Sequence, residues 1–102
     1  MYDFYANPPN SKKELREWLT SWLVKPSGPE PHIIEHNNEQ FIEELGFRRA
    51  FYHHSVLRSI STGEYIWLVS DDMQAFPSKR FPDFETMLEG VIDDYMQWKL
   101  TG

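Results

Sequence analysis

The chain has 102 residues, a net charge of −6 at pH 7, no cysteine, and sixteen aromatics in an apolar fraction of 40%. That length fits one domain, residues 1–102, and the absence of cysteine excludes disulfides, thiolate nucleophiles and Cys zinc sites together. The acidic balance disfavours nucleic acid, whose phosphates need Lys and Arg, and no apolar run reaches the roughly 20 residues that span a bilayer, so a cytoplasmic, non-membrane protein is expected.

Residues 1–10, "MYDFYANPPN", carry no basic segment followed by an apolar run, and are read as an N-terminal arm or short edge strand. Ser11-Lys12-Lys13-Glu14 is a capping box. Behind it Leu15, Trp18, Leu19, Trp22 and Leu23 recur at helical spacing, so a helix is expected over 11–24, stopping before Pro26. "KPSGPEP" (25–31) is a loop and "HIIEH" (32–36) a short strand. Asn37 or Asn38 is then expected to cap a short helix bearing Phe41, Ile42 and Leu45, with Gly46 at its stop. From 47 to 70 the chain reads as sheet with a hairpin turn at Thr62-Gly63. After a proline-containing loop, Asp83 caps a last helix with apolar Phe84, Met87, Leu88, Val91, Ile92 and Tyr95. Gly90 inside it costs about 1 kcal/mol against Ala and points to a close approach.

The hairpin raises the first site question. A two-residue loop at Thr62-Gly63 puts Arg58 opposite Trp67, His54 opposite Asp71 and His53 opposite Asp72. A carboxylate beside an imidazole is the start of a general base or ligand set. The two pairs project from opposite faces, however, and two ligands per face are too few for a metal. His32 and His36 share one face of a strand about 13 Å apart, too far to chelate one ion. The expectation is therefore no metal and no cofactor, with His53, His54, Asp71 and Asp72 as a polar cluster closing the hairpin.

The second question concerns surfaces. One hairpin face carries Val56, Ile60, Tyr65, Trp67 and Val69; the other carries Leu57, Ile66 and Leu68 among serines. Either both faces are covered, which is favoured, or Arg58, Tyr65 and Trp67 belong to a partner surface. On the last helix Glu85, Glu89 and Asp93 form an acidic stripe with no cation opposing them until Lys99, a second candidate docking surface. Arg48-Arg49 and Lys79-Arg80 are isolated basic pairs, able to steer an acidic ligand.

The expected fold is α+β: a small antiparallel sheet, its hairpin near 55–70, packed against two amphipathic helices in a two-layer sandwich. The expected function is a non-catalytic protein–protein interaction domain (adaptor, assembly factor or inhibitor). Its partner would be another protein with a basic surface, or a second copy of the chain. The alternatives are a small enzyme or metal-binding protein using His53, His54, Asp71 and Asp72, and a small-molecule-binding domain with an aromatic-lined pocket. Converging polar groups in a pocket would favour the last; a flat exposed aromatic patch would favour the first.

Overall fold

The computed structural model describes residues 11–49, 52–69, 74–75 and 79–101. In chain order the elements are α1 (Lys12–Trp22), β1 (Ile33–His36), β2 (Glu39–Arg49), β3 (Tyr52–Ser59), β4 (Tyr65–Val69), β5 (Gln74–Ala75) and α2 (Phe84–Thr101). The strands form one antiparallel sheet in sequential order, β1-β2-β3-β4-β5, and both helices pack on one face. This is an α+β two-layer arrangement. The N-terminal arm read at residues 1–10 lies outside the described residues.

Both long helices begin where their caps predict. The Ser11 hydroxyl accepts from the Glu14 amide at 3.1 Å, and Asp83 Oδ1 accepts from the Thr86 amide at 2.8 Å. Each cap satisfies an amide that the first helical turn leaves without a partner. From α1, Leu15 and Leu19 are fully buried; from α2, Met87, Leu88, Val91, Ile92 and Tyr95 are buried. They meet Phe47, Val56, Trp67 and Val69 from the sheet. On the other face Phe41, Leu57, Ile66 and Leu68 form a smaller buried cluster, with Ile34 packed against it. Both faces of the hairpin are thus buried.

The short helix expected after Asn37-Asn38 is a strand. Asn37 and Asn38 have φ of 52° and 65° and join His36 to Glu39 as a two-residue turn. Positive φ at both central residues is the type I′ pattern, which matches the twist of the flanking strands, and Asn tolerates it. The misleading signal came from a bulge between Glu43 and Leu45. The extra residue shifts the alternation by one, so Ile42 (opposite Arg58) and Leu45 (opposite Val56) share a face three residues apart. On sequence alone that spacing looks helical.

The β3–β4 register also differs from expectation. Val56, not Arg58, stands opposite Trp67; Arg58 stands opposite Tyr65, and His54 opposite Val69 rather than Asp71. The loop is longer than two residues: the Ser59 amide donates to the Glu64 carbonyl at 2.8 Å, and the Gly63 amide to the Ser59 carbonyl at 2.9 Å. Gly63 takes φ of 77°, whereas Thr62 keeps negative φ. A β-branched residue resists the left-handed region that a two-residue type I′ loop would impose on it. The slip is two positions, so the face assignments survive, but Ile60 leaves the sheet for the loop and is 49% exposed.

Gly90 serves a close approach to a loop residue rather than to a strand. Phe81 exchanges both backbone hydrogen bonds with Tyr65 at the edge of β4 and is 5% exposed. A Cβ on Gly90 would lie 2.5 Å from two atoms of the Phe81 ring. Gly90→Ala is therefore expected to destabilise by about 1–3 kcal/mol through overpacking, despite a gain of about 1 kcal/mol in helix propensity. Urea melts check this. A more stable variant would mean that Phe81 does not occupy the groove over Gly90, and Phe81→Leu should relieve the cost if it does.

Candidate functional site

The two adjacent histidines have different environments because they sit on opposite faces of β3. His54 is 1% exposed and stacks on Phe47, ring centroids 4.6 Å apart. Its Nδ1 accepts from the Trp67 indole N–H at 3.1 Å, which places its own proton on Nε2. Burial, with the neighbouring His53 adding a smaller push, lowers the imidazole to about 4 from its ordinary 6.5. His54 is a neutral core histidine that stands opposite Val69 in the sheet. Asp71 and Asp72 lie outside the described residues.

His53 points to the other face and meets Glu43 of β2. Its Nε2 lies 2.9 Å from Glu43 Oε2, and Ser55 Oγ donates to the same oxygen at 2.8 Å. A carboxylate oxygen only accepts, so His53 carries a proton on Nε2. The Glu43 side chain is only 9% exposed. Its other oxygen, Oε1, stands 3.6 Å from Nδ1 of His32, whose Nε2 lies 3.0 Å from the Ser27 carbonyl. Two histidines from different strand ends thus flank one nearly buried carboxylate.

Gly46 makes this approach sterically feasible. A Cβ there would lie 2.8 Å from Glu43 Oε2, 2.9 Å from the His54 carbonyl and 3.4 Å from His53 Nε2. Gly46 also exchanges both backbone hydrogen bonds with Val24, at 2.8 and 3.0 Å, which draws the chain after α1 onto β2 beyond the end of β1. Residues 24–27, His32, Glu43, 46–48 and His53 enclose an open cleft of about 540 Å³. Lys25 and Arg48 stand on its rim, and neither forms an ion pair among the described residues. Four other described cations are paired: Lys12 with Asp93, Arg16 with Glu85, Arg58 with Glu44, and Arg80 with Glu39 and Glu64.

The residues expected to face a partner divide between core and surface. Trp67 is fully buried between the sheet and the helices. Tyr65 is half-buried and donates its hydroxyl to Glu44 Oε1 at 2.9 Å, the oxygen that Arg58 Nε also reaches at 3.3 Å. The acidic stripe of α2 is opposed after all, by α1: Asp93 meets Lys12 at 2.7 Å and Glu85 meets Arg16, leaving Glu89 beside the seam. Of the isolated basic pairs, Arg80 is committed to Glu39 and Glu64, and its guanidinium lies over the Phe41 ring. Arg48 reaches the cleft.

His32 and His36 turn to separate neighbours, Ser27 and Asn37. Among the described residues no group of three or more His, Asp or Glu side chains has the geometry of a metal site, and no helix is long and apolar enough to cross a membrane. No family model, curated protein or solved structure matches the chain.

Proposed function

We propose that the protein is a non-catalytic binding domain that holds a small molecule in the cleft between the chain after α1 and the β2–β3 end of the sheet. One observation carries this reading. Titratable side chains from four separated places in the sequence, Lys25, His32, Glu43 with Arg48, and His53, converge on a concavity of about 540 Å³. That volume falls in the range of small-ligand sites, roughly 300–1,000 Å³, and Val24 and Pro26 add an apolar wall. The hydroxyl in the constellation supports binding over acyl-transfer chemistry. Ser55 is 3% exposed and bonded to the carboxylate, out of reach of a substrate carbonyl. The test is a thermal-shift screen of small carboxylates, phosphates, amines and amino acids against wild type, His32→Ala and Arg48→Ala. Compounds that stabilise wild type should lose most of that effect in both variants. Stabilisation that survives both variants would place the ligand elsewhere and defeat the reading.

The protein-interaction reading draws on a different feature. Val24 and Ile33, 60% and 51% exposed, both flank β2 on the sheet edge away from β3. A partner seated on that edge would cover both, and Val24→Asp with Ile33→Asp should then abolish its capture while leaving the fold intact.

A further inference from the structure

The cleft's hydrogen-bonding inventory narrows the chemistry of its occupant. The inference rests on the cleft being a ligand site. Glu43 offers two oxygens, and both protein donors go to one of them: His53 Nε2 and Ser55 Oγ reach Oε2. Oε1 has no donor within hydrogen-bonding distance among the described residues, its nearest imidazole nitrogen, His32 Nδ1, being 3.6 Å away. His32 is oriented by the Ser27 carbonyl, which can only accept, so a neutral His32 carries its proton on Nε2 and presents Nδ1 as an acceptor. Two acceptors therefore face each other with no donor between them, on a side chain that is nine-tenths buried. A nearly buried carboxylate with one oxygen left over favours a donor, and most strongly a charged one. The rim has the opposite character. Lys25 and Arg48 have no carboxylate partner among the described residues, in a chain whose net charge is −6. They are suited to an oxyanion, which Arg can hold through two parallel N–H bonds.

We propose that the cleft binds a small zwitterion of the amino-acid class. Its ammonium donates to Glu43 Oε1 and His32 Nδ1. Its carboxylate lies toward Arg48 and Lys25, and its side chain rests on Val24 and Pro26. Each charged end is matched by the opposite charge of the protein, and a ligand lacking either end leaves one set of groups without a counterpart.

Three matched probes test this by titration calorimetry on the full chain: L-2-aminobutyrate, butyrate (no ammonium) and propylamine (no carboxylate). L-2-aminobutyrate should bind at least about tenfold more tightly than either single-charge probe, since a hydrogen bond to a charged group contributes roughly 1.5–3 kcal/mol. In Glu43→Gln its affinity should fall to that of butyrate, and in Arg48→Gln to that of propylamine. The wild-type comparison needs no variant, so a misfolded Glu43→Gln would not spare the proposal. Butyrate binding as well as L-2-aminobutyrate would overturn the role of Glu43 while leaving the cleft a ligand site for anions. Propylamine binding as well would overturn the role of the rim cations. Failure of all three probes to bind would overturn the zwitterion, and the cleft itself would then stand or fall on the broader screen.

Discussion

Truncating Trp67 to Ala is expected to cost about 3–5 kcal/mol, a large share of the roughly 5–15 kcal/mol that holds a small domain together. Trp67 is fully buried opposite Val56, with Phe47 and His54 edge-on to its ring at 6.0 and 6.1 Å. Its indole N–H also supplies the hydrogen bond to His54 Nδ1. Removal therefore leaves a cavity and takes the donor from a buried acceptor at once. Trp67→Phe separates the two losses. It keeps most of the volume and should cost roughly 1–3 kcal/mol for the lost donor. Chemical denaturation measures both. A Trp67→Ala variant within about 0.5 kcal/mol of wild type would behave as a surface substitution does. It would return Trp67 to the partner surface suggested by its sequence context.

Acidification should destabilise the fold through His54. The imidazole titrates near its ordinary 6.5 when the chain is unfolded and at about 4 when folded, because burial disfavours the charged form. Between those values the unfolded chain binds the proton and the native protein does not, so stability falls as pH drops from about 6.5 to about 4. Above 6.5 His54 makes no pH-dependent contribution; below 4 its effect is complete. The difference corresponds to about 3 kcal/mol. Protonation of Nδ1 would also oppose the Trp67 N–H that points at it. Glu39, held low by the Arg80 guanidinium and then by the Ser59 hydroxyl, and Asp83, held low by the Thr86 amide, lose stability in a more acidic window, starting from their ordinary values of 4.5 and 3.8. Urea melts at pH 7.5, 5.5 and 4.5 should show the His54 slope, and His54→Gln, which keeps an acceptor for Trp67 but has no charge to gain, should flatten it. An unchanged slope in His54→Gln would assign the titration to another group.

The helices were readable in the sequence because their apolar stripes and caps are local signals: Leu15, Leu19, Met87, Leu88, Val91, Ile92 and Tyr95 are buried, and Trp18, Trp22, Leu23 and Phe84 pack partly buried against them. Face assignments in the β3–β4 hairpin were readable for a related reason, since a two-residue slip preserves alternation. Register was not, because it depends on whether Thr62 or only Gly63 adopts positive φ. The identity of β2 was hidden by its bulge, which gives Ile42 and Leu45 a helix-like spacing. A two-residue Asn-Asn turn between alternating segments was the signal that could have found it. The cleft was least legible. His32 and His53 stand out as residues able to do chemistry, but the helix-like spacing of Ile42 and Leu45 conceals that their common neighbour, Glu43, lies on a strand. Gly46 looked like a helix stop, and only strand pairing shows that its missing side chain makes room for the Glu43–His53 contact.

The cleft bounded by the chain after α1 and the β2–β3 end of the sheet is the proposed site of ligand binding. An amide-resolved NMR titration with the compound that most stabilises the protein tests it most directly. The largest shift changes are expected at Val24, Lys25, Ser27, His32, Glu43, Gly46, Phe47, Arg48 and His53. Changes centred instead on the α1–α2 seam around Lys12, Arg16 and Glu89, or on Ile33 and the outer edge of β1, would contradict it.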